Sequence, residues 1–212
     1  MKLPSYQECV GFFEKCHVPI NFLAHCKRVA QIGRFIAEEL SKKGVPINPD
    51  LVERAGLLHD LFKFVTLDEL KEQPQFKAPK PTAEEIASWK RLKKKYKGMH
   101  EVEITYLLLK DFYPELAQLI VDGSDHKRAA FSPEKRTWEE RVQHYADWRV
   151  LGDTVVTFQK RIEDALKRYG ETLFRNKDLF RKETEQMQKD EKEIFSIIGL
   201  SPDLLLKFNE NK

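Results

Sequence analysis

The sequence predicts an all-α protein, and three observations carry that expectation. Apolar residues recur at intervals of three and four along most of the chain, no segment sustains the alternation of a half-buried strand, and the 212 residues include only 9 glycines and 10 prolines. With 41% hydrophobic and 33% charged residues, the chain can bury one sizeable core, and disorder on a large scale is not expected.

The elements follow in order. A first helix is predicted near 5–16, and His17, ahead of Val18 and Pro19, falls at its end. A second spans about 20–43, where His25, Val29, Ile32, Ile36 and Leu40 form one inward stripe. "GVPINPD" reads as a turn, with Asn48 as the side-chain cap and Pro49 opening a third helix near 49–64. On that helix Val52, Ala55, His59 and Phe62 share a face, and Asp60 stands one step round with Gly56, Lys63 and Phe64. The three prolines of "EQPQFKAPKPT" end helical structure and predict an exposed excursion.

Further helices are expected near 83–96, 99–112, 114–123 and 136–152. His100 heads a stripe with Ile104, Leu107, Leu108 and Asp111, His126 follows the apolar segment "ELAQLIVDGSD", and Asp147 shares a face with His144, Val150 and Leu151. Two amphipathic helices, near 154–169 and 171–198, complete the chain. Residues 1–152 are therefore read as the helical core that holds the chemistry. Residues 153–212, which contain no histidine, are read as a C-terminal extension packing on the core or a partner, with little chemistry of its own.

Composition narrows the function classes. The start "MKLPSYQECVGFFEK" breaks any signal-like apolar stretch with a proline and two acids, and no run reaches membrane-spanning length, so a cytoplasmic protein is expected. Cys9, Cys16 and Cys26 show no CxxC spacing and are odd in number, which fits reduced packing residues. A formal charge of +3 does not imply nucleic-acid binding. The run "KRLKKKYK" at 90–97 is read chiefly as a solvated helix face whose near end could attract a polyanion, and no specific nucleic-acid module is recognised. Trp89 and Tyr96 beside it are read as packing residues, with no nucleobase pocket assigned to them.

Burying imidazoles and carboxylates together is costly unless charge compensates them, and a divalent cation supplies that charge. With no cysteine in the set, the donors are imidazole and carboxylate, compatible with iron, manganese, cobalt, nickel or zinc. His17 and His144 are placed outside the ligand set, His144 as a supporting or surface residue.

The order His25, His59-Asp60, Asp147 resembles the H…HD…D signature of the HD-domain superfamily of metal-dependent phosphohydrolases. "HCKRVAQIGRFIAEEL" resembles the family's first ligand helix, "AGLLHDLFKF" its central helix and "YADWRV" its last, together covering about residues 20–152. "GMHEVEITYLLL" with His100 and "GSDHKR" with His126 extend the pattern to H…HD…H…H…D. That order is similar to bacterial HD hydrolases that split diadenosine tetraphosphate symmetrically, and also to cyclic-dinucleotide phosphodiesterases and mixed-valence diiron oxygenases. A GYP segment, which would mark the cyclic-dinucleotide enzymes, is missing.

The resemblance implies an HD-type helical bundle whose metal ligands are His25, His59, Asp60, His100, His126 and Asp147. It implies one or two divalent or iron ions, dinuclear iron or manganese being favoured, with Asp60 bridging the pair. Such a pair makes hydroxide available near neutral pH for attack on a phosphoester or phosphoanhydride. Asp60 and Lys63 would then be catalytic, and Lys63, Lys127 and Arg128 would hold a phosphorylated small molecule, a nucleotide or dinucleoside polyphosphate. The chain is not expected at a membrane, and a homo-oligomer remains open. The rival expectations are an HD-type diiron oxygenase and a metal-binding regulatory module without turnover.

Overall fold

A computed structural model describes residues 1–67 and 80–210. The expected excursion at "EQPQFKAPKPT" lies largely outside the described residues.

Eleven α-helices and one short hairpin make up the described chain: α1 (Tyr6–Lys15), α2 (Ile20–Lys42), α3 (Pro49–Leu58), α4 (Lys63–Thr66), α5 (Ala83–Lys95), α6 (Glu101–Leu109), α7 (Pro114–Gly123), α8 (His126–Phe131), α9 (Trp138–Trp148), β1 (Val150–Leu151), β2 (Thr154–Val155), α10 (Phe158–Arg175) and α11 (Lys177–Ile198). Single turns of 3₁₀ helix cover Pro133–Lys135 and, in a longer run, Pro202–Asn209.

Local chemistry sets many of these boundaries. Ser5 and Glu8 form a reciprocal capping box at the start of α1, and Thr82 with Glu85 does the same for α5. Asn48 Oδ1 accepts the amide of Leu51 at 3.1 Å, with Pro49 at the first helical position of α3. Gly199, in the left-handed conformation at φ 73°, ends α11.

The third helix stops six residues earlier than its periodicity predicts. His59 Nδ1 donates to the carbonyl of Gly56 at 2.8 Å, occupying the acceptor that the amide of Asp60 would use in a continuing helix. The chain then descends through tight three-residue turns, Leu61 to Leu58 and Lys63 to Asp60, before α4 begins.

The other difference is at 150–155, expected as helix and observed as an antiparallel hairpin pairing Val150 with Val155 and Leu151 with Thr154. Gly152, at φ 64°, takes the first position of the two-residue turn, where a side chain is disfavoured. The expected helix at 171–198 begins at 177, and α10 runs on to Arg175.

α2 is the central element, packed against α3, α9 and α11. Its N-terminal half joins α1, α3, α6 and α7 in one apolar cluster that includes Phe13, Cys26, Ala30, Leu57, Leu61 and Ile120. Its C-terminal half, through Val29, Ile32, Ile36 and Leu40, packs with Val142, Tyr145, Ile194, Ile198 and Leu205 in a second. α11 thus shares a core with the ligand helices, and each fully buried large aliphatic side chain there contributes roughly 1.5–3 kcal/mol. The stripe expected on α6 turns inward only at Ile104, since Leu107 and Leu108 are exposed.

Candidate metal centre

Three helices and the turn that follows α3 bring the first group of donors together. His25 stands one turn into α2, His59 caps the C-terminus of α3, Asp60 follows it, and Asp147 lies in the last turn of α9. His25, His59 and Asp60 each offer a ligand atom within 4.8 Å of the others. Asp147 Oδ1 lies 3.0 Å from His25 Nε2 and 3.5 Å from His59 Nε2, and Asp60 Oδ2 lies 3.8 Å from His59 Nε2.

Backbone carbonyls fix both imidazoles. His25 Nδ1 is 2.8 Å from the Gly152 carbonyl in the hairpin turn, and His59 Nδ1 is 2.8 Å from that of Gly56. A carbonyl accepts only, so the Nδ1 atoms carry the hydrogens and both Nε2 atoms present lone pairs to the same carboxylate. His59 Nε2 is fully buried and has no hydrogen-bond partner. Two lone pairs facing an anionic oxygen are repulsive unless positive charge stands among them, and a proton or a metal cation supplies it.

The electrostatics carry the same message. Burial works against a charged His59, yet the carboxylate of Asp60 and neighbouring groups hold its pKa well above the usual imidazole value. Burial would raise the Asp147 carboxyl, but the adjacent imidazoles of His25 and His59 keep it well below the ordinary range. The site therefore favours a cation beside an ionised Asp147.

These groups open onto a cleft of about 400 Å³, bordered by His25, Asp60, Lys63, His126, Asp147 and Glu183 among others, while His59 is buried beside it. Lys63 Nζ donates to Glu101 Oε1 at 2.5 Å, and Thr66 Oγ1 donates to the other oxygen at 3.0 Å. Burial opposes the charge of Lys63, but Asp60 and Glu101 outweigh it and raise its pKa.

His126 opens α8, whose N-terminal amides are capped by Asp125 at 2.9 and 3.0 Å. Its Nδ1 donates to Glu183 Oε1 at 2.6 Å, and His144 Nε2 lies 3.0 Å from the same oxygen. Burial would raise the Glu183 carboxyl, but the two imidazoles bring it down to about 2. With Nδ1 committed to Glu183, Nε2 is the nitrogen His126 has available.

Glu183 comes from α11, so the C-terminal region contributes a buried carboxylate to the site, against the expectation of little chemistry there. Its signal was present in the sequence: Phe180, Met187, Ile194 and Ile198 make an apolar stripe that Glu183 and Asp190 interrupt at helical spacing.

Three other expected residues stand elsewhere. His100, 61% exposed in its side chain, caps α6 and joins neither group of clustered donors among the described residues. It reaches the cleft only through Glu101, 3.5 Å from its Nδ1. Arg128 is held by both oxygens of Glu140, at 2.9 and 3.1 Å, and by the Lys135 carbonyl, and Lys127 is exposed; neither borders the cleft. Trp89 and Tyr96 pack against Phe64 and Phe62.

Among the described residues, no helix is long and apolar enough to cross a membrane. No curated protein and no solved structure matches the chain. The sequence profile of the HD domain, however, matches residues 22–149, a span that begins just before His25 and ends just after Asp147. The chain, with its predominantly helical fold and its His25, His59-Asp60 and Asp147 gathered at one point, belongs to the HD-domain family.

Proposed function

We propose that the protein is a metal-dependent phosphohydrolase acting on a phosphoester or phosphoanhydride bond of a nucleotide or dinucleoside polyphosphate. The observation that carries this reading is the pair of Nε2 lone pairs, fixed by the carbonyls of Gly152 and Gly56, that converge on Asp147. Such an arrangement is built around a cation.

His25, His59, Asp60 and Asp147 would hold the ion. A divalent cation there supplies Lewis acidity, lowering the pKa of water and neutralising phosphoryl oxygens. The chain does the rest. The carbonyls of Gly152 and Gly56 keep both imidazoles in the tautomer that presents Nε2. Lys63, kept protonated and steadied by Glu101, offers a fixed positive charge to a phosphate or leaving-group oxygen at the cleft. Glu183 holds the Nδ1 proton of His126, whose other nitrogen would then be available to hold a second ion or to meet the substrate. Filling the six-residue pattern would also require His100, and α6 would have to carry it inward.

The test joins metal analysis of anaerobically purified protein to phosphate release from nucleotides, dinucleoside polyphosphates and cyclic dinucleotides. Bound divalent metal together with turnover of at least one of these is expected. Metal without turnover across the panel, or oxygen consumption in place of phosphate release, would overturn the proposal. Loss of one metal equivalent in His126→Ala marks two ions, and the same loss in His100→Ala would show that α6 closes on the site.

A further inference from the structure

The cleft reaches well beyond the metal donors. Asn21 and Phe22 line it from α2, one turn before His25. Asn176, at the N-cap of α11, lines it together with Leu179 and Phe180, on the helix face that also carries Glu183. Asn176 and Glu183 are seven residues apart, about 10 Å along the helix. A phosphate group fills only the inner part of such a space. The whole cleft, about 400 Å³, falls in the range of roughly 300–1,000 Å³ that holds an organic small molecule.

Two chemistries meet in the outer part. Phe22, Trp148, Ala165, Leu179 and Phe180 supply apolar walls, with the rings of Trp148 and Phe180 6.2 Å apart. Leu179 and Phe180 are half-buried, so part of each side chain remains open. Beside these walls stand two side-chain amides. An asparagine at an N-cap ordinarily accepts the free amides of the first turn, but Asn176 makes no such bond. Neither its exposed side chain nor the half-buried one of Asn21 has a hydrogen-bond partner among the described residues. Each amide offers donors and an acceptor side by side.

We propose that the outer part of the cleft is a nucleoside subsite, with the base against Leu179 and Phe180 and its polar edge read by the amides of Asn176 and Asn21. A nucleobase is a flat, largely apolar body with donors and acceptors along its edge, and an asparagine amide can pair with such an edge through two hydrogen bonds. An acyl chain would leave both amides unpaired, and a bare sugar would set its hydroxyls against an apolar wall. The substrate class is then a nucleoside phosphate, in preference to a sugar phosphate or an inorganic polyphosphate. Asn21, Asn176, Leu179 and Phe180 all lie outside residues 22–149, so the subsite is separate from the span that matches the HD domain. The inference rests on the phosphohydrolase reading for the phosphate end alone, and its ligand can be tested without turnover.

The experiment is calorimetric titration of the full chain, in excess magnesium chloride, with the α,β-methylene analogues of the four common nucleoside diphosphates. Methylenediphosphonate, which carries the same bridge without a nucleoside, is titrated beside them. At least one nucleoside analogue should bind about tenfold more tightly than methylenediphosphonate. For that analogue Asn176→Ala should lose about tenfold in affinity, and Leu179→Trp, which fills the space for the base, should lose at least as much. Both variants should hold methylenediphosphonate within about twofold of wild type. Gln118→Ala removes an amide from an exposed position of α7 and should change nothing.

Equal affinity for methylenediphosphonate and all four analogues would overturn the subsite. So would wild-type affinity in both Asn176→Ala and Leu179→Trp, or an equal loss of methylenediphosphonate, which would mark a general distortion. Should Leu179→Trp fail to fold, Asn176→Ala and Asn21→Ala decide the matter: wild-type affinity in both overturns the subsite. Failure of the wild-type chain to hydrolyse any phosphoester would overturn the proposed function and leave these titrations readable.

Discussion

At Gly56 α3 comes close to the backbone of α2, and replacing it tests how the imidazoles of those two helices are held in register. A Cβ built there stands 3.0 Å from Ala30 Cα, 3.1 Å from Ala30 N and 3.4 Å from the carbonyl carbon of Val29, all backbone atoms that cannot rotate aside. In Gly56→Ala, α3 must therefore withdraw from α2 by a few tenths of an ångström. That movement carries His59, three residues on, away from His25. Gly11, inside α1, is the control, because a Cβ there meets nothing within 4 Å.

Both substitutions gain about 1 kcal/mol of helix propensity, so the difference between them isolates the clash. Overpacking against a rigid neighbour costs about 1–3 kcal/mol. Gly11→Ala should raise stability, and Gly56→Ala should fall below it by about 2 kcal/mol, or roughly 4–8 °C in Tm for a chain of this size. Urea and thermal unfolding read the difference, and metal affinity should fall only in Gly56→Ala. If the two variants agreed within about 0.5 kcal/mol, the account of α2 and α3 as a tightly registered pair would be refuted.

Other parts of the molecule give separate tests. Asp190, fully buried, accepts from Arg136 at 2.8 Å and Arg141 at 2.9 Å. Asp190→Asn leaves the buried Arg136 charge uncompensated and should cost about 3–5 kcal/mol in urea unfolding, whereas a loss below about 1 would show that the pair carries little. Glu183→Gln removes the charge that orients His126 and His144. A fall of about 10- to 100-fold in metal affinity or turnover is expected with the fold retained, and unaltered values in both would leave Glu183 a packing residue. Burial pushes the Cys9 thiol up to about 12. Iodoacetamide at mildly alkaline pH should therefore modify Cys9 only after unfolding, and rapid labelling of the native chain would contradict its placement.

The sequence was most legible where one physical rule acted alone. The stripe from His25 to Leu40 predicted α2 and its inward face, and Asn48 with Pro49 marked the start of α3. The end of α3 was hidden because a side chain, His59, competes with the backbone for the Gly56 carbonyl, which periodicity does not register. The hairpin was announced by Gly152-Asp153 between the β-branched runs of "RVLGDTVVTF", a signal obscured by the helical patterns on either side. It matters to the site, since its turn supplies the acceptor for His25.

For the site itself, four residues of the expected set converge and His126 borders the same cleft. His100 was inferred from its helical stripe and the family pattern, and Lys127 and Arg128 from following a proposed ligand directly; tertiary packing places all three outside the two groups of donors. Glu183 comes from a helix distant in sequence. Only the departure of Glu183 from amphipathic patterning, a carboxylate within an apolar stripe, gave a signal in the sequence.

The most direct test of the central claim is the metal content of the anaerobically purified chain, set against that of Asp60→Ala. About one divalent ion or more per wild-type chain is predicted, falling to a small fraction in Asp60→Ala, with phosphate release lost alongside it. An Asp60→Ala chain that kept both its metal and its phosphate release would contradict the account, because the convergence of His25, His59, Asp60 and Asp147 would then serve some other purpose.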